Sequence, residues 1–175
     1  MTDTPARPLM KGGSESAIFV SYCWTSAQHC EWVVRLANLL VSHGVRTVLD
    51  IWDLNPGQDK YAFMEKAVLD PTITKVLIIC DEGYKERADN RERGVGTETQ
   101  LISPEVYGKV DQEKFIPIIA QRGNEGEPLV PTYLASRVYI DLSDETTFET
   151  EYQKLLRNIY GQPERYLSSQ MRQFR

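Results

Sequence analysis

The sequence lacks any apolar run long enough to cross a membrane. The longest candidate, residues 76–80, has the length of a β-strand, whereas a membrane helix needs about 18 residues. Residues 1–13 contain no apolar stretch of the kind that marks a secretory signal. Acidic residues outnumber basic ones by 25 to 20, and the net charge of −5 argues against partners such as nucleic acid or an anionic membrane.

Cysteine and histidine are also scarce. The three cysteines, Cys23, Cys30 and Cys80, are too few and too odd in number for a disulfide framework, and their apolar neighbours suggest reduced core residues of a cytoplasmic protein. The spacing of Cys23, His29 and Cys30 matches no common zinc site, so we predict no metal. Only two histidines are present, so few side chains are available for general-base catalysis through histidine.

The chain divides into one domain and two polar ends. Residues 1–15 are polar and contain proline and glycine, so they are predicted to be a disordered leader. Residues 162–175 are predicted to be a polar tail or linker. The domain between them, 16–161, is long enough to bury a sizeable core.

Within the domain, apolar runs and helical stripes alternate five times. Because such alternation is typical of parallel sheets, we predict an α/β, flavodoxin-like fold: a five-stranded parallel sheet of order 2-1-3-4-5 with helices on both faces. The predicted strands are 17–22, 45–49, 76–80, 115–119 and 138–140, and Gly44 is expected to end the first helix. The side chains expected to be almost fully buried are Leu36, Leu39, Val76, Ile78 and Ile118.

Three segments carry weaker signals. Residues 85–93 hold seven charges in nine positions, which favours a solvated loop or frayed helix, although their alternating sign could also pair with a neighbouring molecule. Pro117 suggests that the fourth strand is peripheral or irregular. Residues 97–100 fit a capping box, followed by a helix that Pro104 is expected to interrupt.

Five ordered motifs resemble the TIR and SEFIR domain superfamily, and SEFIR more closely. They are FVSYCW at 19–24, LDIWDLNPG at 49–57, FME at 63–65, VLIICDEGY at 76–84 and GVGTE at 94–98. The resemblance implies self-association with other SEFIR or TIR domains. It also implies NAD+ as a substrate rather than a cofactor, because many bacterial and plant TIR domains cleave it. The implied interaction segment is the BB loop, comprising Asp53, Leu54, Asn55, Pro56, Gly57, Gln58 and Asp59.

The resemblance places the catalytic carboxylate at Glu98. A fixed carboxylate can stabilise the oxocarbenium-like ribose that forms when the nicotinamide bond breaks. Glutamate is equally common in the first turn of a helix because the helix dipole favours it there, so a purely structural role stays open.

The candidate substrate-binding residues are Tyr22, Trp24, Asp50, Trp52 and Asp53. The two aromatic residues after the first strand could stack on an adenine or nicotinamide ring. Both could instead plug the end of the strand as core residues, an alternative that is favoured for Tyr22. The two aspartates could instead fix the turn. Asp50 resembles a ribose-binding acid of dinucleotide folds, but the glycine fingerprint is missing.

Two functions therefore remain. The first is NAD+ hydrolysis or cyclisation that is switched on by assembly, and the second is a non-enzymatic module for homotypic protein interaction. A response regulator is excluded because Ser21 and Tyr22 stand where that fold needs an acidic pair. A serine hydrolase is excluded because no G-x-S-x-G motif is present.

Overall fold

A parallel β-sheet forms the centre of the molecule in the computed structural model, which describes residues 17–92, 102 and 104–161. The strand order is β2-β1-β3-β4-β5 and every neighbouring pair is parallel, which confirms the predicted topology. The elements are β1 (Ala17–Ser21), α1 (Ala27–Ser42), β2 (Arg46–Val48), α2 (Asp50–Asp53), α3 (Lys60–Leu69), β3 (Ile73–Cys80), α4 (Glu82–Glu92), α5 (Pro104–Tyr107), β4 (Phe115–Ile119), β5 (Ile140–Asp141) and α6 (Phe148–Ile159).

Helices cover both faces of the sheet, as predicted. Side chains of α1 and α6 form one hydrophobic core with Ile18 and Val20, while side chains of α3, α4 and α5 form the other with Phe19. Successive residues of β1 therefore point into different cores, and both cores exclude water. This is why the strand is apolar at every position rather than at every second one.

Most of the predicted core is buried. Leu36, Val76, Ile78 and Ile118 are 3% exposed or less. The prediction is wrong for Leu39, which is half-buried and packs against the edge of the core. Its position on α1 lies at the border of the apolar stripe, where one side of the side chain faces solvent.

Two predictions about the strands are wrong, one for β5 and one for β4. Val138 is 92% exposed, and β5 starts only at Ile140, since the register with β4 pairs Ile118 with Ile140. The second correction concerns β4, which lies between β3 and β5 and is therefore not peripheral. Pro117 is tolerated there because it pairs with β3 alone and the ladder to β5 begins one residue later.

The charged segment 85–93 was predicted to be a solvated loop or a frayed helix; the helix is confirmed for residues 85–92, whereas the expectation that the segment lies outside the core is wrong. Most of it belongs to a regular helix, α4, whose Ala88 and Asp89 are buried. Asp89 is paired there: it accepts hydrogen bonds from Lys85 Nζ and from the backbone N–H of Thr132, both at 2.8 Å. Because most side chains of the segment are charged, a count of charged residues does not reveal that one face of the helix is buried.

Several predictions fall on parts of the chain that the structure does not describe. They are the leader 1–15, the tail 162–175, the capping box at 97–100 and Glu98. Within the described ranges, no helix is long and apolar enough to span a membrane. The predicted end of α1 is confirmed, since Gly44 has a φ of +83°, in the left-handed region that favours glycine.

Candidate functional site

The carboxyl ends of β1, β2 and β3 bring three of the predicted site residues, Tyr22, Trp24 and Asp50, to one edge of the sheet. Tyr22 and Trp24 lie in the loop after β1, Asp50 begins α2 just after β2, and Asp81 directly follows β3. Ligands of open α/β sheets bind at this edge, near the point where the strand order reverses. In this sheet the reversal lies between β1 and β3.

Asp50 joins the two aromatic residues into one group, which we call the Asp50 cluster: Tyr22, Trp24, Asp50 and Lys60. The hydroxyl of Tyr22 donates to Asp50 Oδ1 at 2.8 Å, and the indole Nε1 of Trp24 donates to Oδ2 at 3.2 Å. Oδ1 also accepts the backbone N–H of Ile51 at 2.7 Å. Both carboxylate oxygens are thus used to fix aromatic side chains.

The two aromatic residues differ sharply in exposure. Tyr22 is 4% exposed, so its ring belongs to the core while its hydroxyl reaches the rim. Burial, and then the adjacent Asp50 carboxylate, raise the pKa of the Tyr22 phenol far above its ordinary value, so it remains a neutral donor. Trp24 is 46% exposed, which leaves a large aromatic surface at the rim.

Lys60 covers part of that surface, a contact that sequence reasoning missed. Its Nζ lies 3.9 Å from the centroid of the Trp24 ring, the geometry of a cation–π contact. Lys60 is the first residue of α3, and Asp59 caps that helix by accepting the N–H of Ala62 at 2.7 Å. The start of the helix therefore sets where this ammonium group sits.

Little space exists inside the Asp50 cluster. A cavity of about 20 Å³ lies beside it, lined among others by Tyr22, Asp50, Leu54 and Lys60, and this is room for about one water molecule. A groove of about 400 Å³ lies along β2 and α3 and is lined among others by Arg46, Phe63 and Lys66, and Phe63 also lines the small cavity. The Trp24 ring does not line this groove.

The predicted BB loop is an exposed turn with internal support. Asp53 Oδ2 accepts the N–H of Leu49 at 3.0 Å, and the side chain of Gln58 accepts the N–H of Asn55 at 2.8 Å. Gly57 has a φ of +87°, which favours glycine, and residues 55–59 are exposed. The predicted turn is confirmed, and the loop leads directly into Lys60.

Trp52, also predicted to contact substrate, takes a different position. It lies in α2, is half-buried, and packs against the core on the α1 side of the sheet. Its indole Nε1 is buried and has no hydrogen-bond partner among the described residues.

A second carboxylate organises the neighbouring part of the edge. We call it the Asp81 cluster: Thr25, His29, Asp81 and Tyr84. Asp81 is 1% exposed. Its Oδ2 accepts the Thr25 hydroxyl at 2.6 Å and lies 3.6 Å from His29 Nε2, while its Oδ1 caps α4 by accepting the N–H of Tyr84 at 2.8 Å. Asp81 therefore links the start of α1 to the start of α4.

Close packing and burial support this second cluster. A methyl group on Gly83 would lie 2.2 Å from Thr25 Oγ1, so only glycine fits there without a shift. The buried Tyr84 hydroxyl lies 3.0 Å from Ser21 Oγ. Burial lowers the pKa of the His29 imidazole, although the Asp81 carboxylate opposes the shift. The rings of Tyr22 and His29, 6.5 Å apart, connect the two clusters.

Asp81 belongs to the VLIICDEGY motif at 76–84, but sequence reasoning gave it no role. An aspartate between a buried strand and a charged helical segment is a recognisable N-cap signal, and that signal was available. The described residues contain no group of three or more His, Cys, Asp or Glu side chains arranged to hold a metal ion. Cys23 and Cys80 are buried as free thiols, and Cys30 is half-buried.

Comparisons with known proteins give a consistent result. The sequence model of the SEFIR domain matches residues 16–156. The crystal structure of a prokaryotic SEFIR domain is 40% identical, with a TM-score of 0.73, over 83% of this chain and 92% of that one. The TIR domain of the Toll-related receptor TRR-2 from Hydra magnipapillata shares the fold, with a TM-score of 0.59 and 17% identity, over 82% of this chain and 97% of that one. A search of curated proteins finds no match.

Proposed function

This chain belongs to the SEFIR domain family, and from that premise we propose that it is a self-associating signalling domain that cleaves NAD+ when its copies assemble. The observation that carries the proposal is the Asp50 cluster. It fixes an exposed tryptophan at the edge of the sheet where ligands of such folds bind, directly beside the exposed BB loop.

The exposed ring and the carboxylate suit a nucleotide. An indole that is 46% exposed and held by its Nε1 offers a flat surface on which adenine or nicotinamide can stack. The hydrogen bonds from Tyr22 and Trp24 hold Asp50 at the rim, where it could accept hydrogen bonds from ribose hydroxyl groups. Free thiols in the core are compatible with a reducing cytoplasm, where we place the reaction.

We assign the catalytic role to Glu98 by the family resemblance. As the bond between nicotinamide and ribose C1′ breaks, nicotinamide leaves with the electron pair as a neutral molecule and the ribose becomes positively charged. The Glu98 carboxylate stabilises that charge. Water then bonds to C1′ and loses a proton to solvent, which yields ADP-ribose; attack by the substrate's own adenine would yield a cyclic product instead.

Assembly is the proposed trigger. The BB loop combines acidic side chains with Pro56 and Gly57 on an exposed surface, which suits an adaptable protein contact. The cavity at the Asp50 cluster has room for about one water molecule, so a nucleotide requires the rim to open. Since the BB loop leads into Lys60, a contact made by the loop could be transmitted to the rim.

The test is an NAD+ consumption assay across a protein dilution series, with the oligomeric state measured in parallel. Glu98→Gln removes the charge and keeps the shape, so activity should fall about 10²- to 10³-fold at every concentration. Glu145→Gln, a matched change at an exposed site, should leave activity unchanged. Pro56→Ala should lower activity by weakening association, and higher protein concentration should partly restore it.

The outcomes separate the two functions. Full activity in Glu98→Gln would show that the catalytic group lies elsewhere. A wild-type protein that assembles but consumes no NAD+ would leave the homotypic interaction module as the function. Activity that does not depend on protein concentration would overturn the assembly trigger, while the proposal that the protein cleaves NAD+ would stand.

A further inference from the structure

We propose that Lys60 is a gate on the Trp24 ring: its ammonium group covers the ring in the free protein, and it moves to pair with the phosphate of a nucleotide whose base takes its place. This deepens the proposed function and rests on it, because it concerns the same rim. It assigns a role to a residue outside the motifs that carry the family resemblance.

The first step is steric. A stacked aromatic ring needs the face of the indole at a separation close to van der Waals contact, and Lys60 Nζ already lies 3.9 Å from the ring centroid. A base and the ammonium group cannot share that face. The adjoining cavity of about 20 Å³ offers no alternative position for a base.

The second step concerns which partner moves. The Trp24 ring is anchored through its Nε1 to Asp50, and Asp50 is itself held by Tyr22 and by the N–H of Ile51. Among the described residues, no carboxylate forms an ion pair with Lys60, and its ammonium group contacts the Trp24 ring instead. A lysine on a flexible four-carbon stem can leave a cation–π contact at low cost, whereas the ring would have to break a hydrogen bond.

The third step concerns what the displaced cation does. The ammonium group remains tethered beside the ring at the start of α3, where the helix dipole adds positive potential. A nucleotide combines an aromatic base with a phosphate, so its two parts match the ring and the cation. A neutral nucleoside would displace the cation and provide it with no new partner.

The experiment measures binding without turnover. The probes are adenosine and adenosine monophosphate, and the readout is the NMR signal of the Trp24 indole N–H, assigned by its loss in Trp24→Phe. In Lys60→Ala, adenosine should bind about two- to fivefold more tightly, because no cation competes for the ring. The preference of the wild-type protein for adenosine monophosphate over adenosine should disappear in that variant.

Two further variants serve as controls. Lys60→Arg keeps a cation that can cover the ring, so it should retain both the weak adenosine binding and the preference for the phosphate. Lys66→Ala removes an exposed lysine from the same helix and should behave as the wild type. Since alanine is a good helix former, Lys60→Ala should fold, which a thermal melt verifies.

Unchanged or weaker adenosine binding in Lys60→Ala would overturn the gate. An unchanged preference for the phosphate would overturn the pairing. If neither probe moves the Trp24 signal in any variant at millimolar concentration, the ring is not a nucleotide surface and the inference fails with it. Gated binding together with a failed NAD+ assay would instead retain the gate and reject the proposed catalysis.

Discussion

Asp50 and Asp81 lie at the same edge of the same sheet, and each holds side chains from the loop between β1 and α1. The Asp50 carboxylate binds the donors of Tyr22 and Trp24 and is half-buried. The Asp81 carboxylate binds the Thr25 hydroxyl and the start of α4, and it is 1% exposed. Residue type and position along the strand therefore do not distinguish them.

What distinguishes the two clusters is the burial of the carboxylate itself and the exposure of the Trp24 ring. Asp81 is 1% exposed and accepts the buried N–H of Tyr84 at the start of α4, so its loss should damage folding. Asp50 holds an indole that is 46% exposed, and that exposed group can meet a ligand. We therefore propose that the Asp81 cluster serves mainly stability and that the Asp50 cluster is the one that meets a ligand.

The strongest challenge to this comparison is to remove each carboxylate in turn. Asp81→Ala leaves the Thr25 hydroxyl and the Tyr84 N–H without their acceptor, and we expect it to lower the free energy of unfolding by about 3 kcal/mol. Asp50→Ala should cost about 1 kcal/mol, because Asp50 is only half-buried and water can reach the Trp24 indole that it leaves. Urea unfolding measures both, and equal losses would contradict the division of roles.

The next test concerns the close packing in the Asp81 cluster. Gly83→Ala places a methyl group against Thr25 Oγ1, and we expect a loss of about 2 kcal/mol, in the range for overpacked sites. In a Thr25→Ala background the methyl group has space, so the same change should cost much less. A double-mutant cycle of urea melts measures this coupling. Additive losses would show that the two residues do not press on each other.

A smaller difference in stability is expected between variants of the aromatic residues of the two clusters. Tyr84→Phe removes a buried hydroxyl that pairs with Ser21 and should cost about 1 kcal/mol. Trp24→Phe should cost about 0.5 kcal/mol or less, since half of the ring is exposed and only one exposed hydrogen bond is lost. Thermal melts measure both losses. If Trp24 were a structural residue, Trp24→Phe would lose more stability than Tyr84→Phe.

These clusters also show how far the sequence could lead. The alternation of apolar runs predicted the parallel sheet and its strand order, and in that order the carboxyl ends of β1 and β2 lie side by side, which brings Tyr22, Trp24 and Asp50 to one edge. Their hydrogen bonds agree with that placement. The Lys60 contact could not be predicted, because it depends on where α3 begins relative to a loop 36 positions earlier in the chain.

The sequence predictions that were wrong also have specific physical causes. The inner face of α4 was missed because a carboxylate such as Asp89 counts as charged even when its partners neutralise it. Val138 was assigned to β5 because its residue type suits a strand, whereas only pairing with β4 decides where that strand starts. Glu98 lies outside the described residues, so its role stays a prediction.

The smallest expected effect is a pH dependence that arises from the Asp81 cluster. Burial lowers the pKa of His29 in the folded protein, so as the pH falls below about 6.5 the unfolded chain takes up a proton at this position more readily than the folded one. The His29 contribution to stability is therefore complete above that pH and is lost on acidification. The groups that face His29 are Asp81, Tyr22 and the stacked Trp32.

Urea melts at pH 7.5 and 5.5 should show a loss of about 1 kcal/mol or less that His29→Gln removes and His43→Gln does not. The carboxylates with lowered pKa values, Asp70, Asp89, Asp141 and Asp144, titrate below this window and do not disturb it. A wild-type protein that gains stability through His29 on acidification would mean that the attraction to Asp81, 3.6 Å away, outweighs burial. In that case the Asp81 cluster would respond to protons, and its purely structural assignment would have to be abandoned.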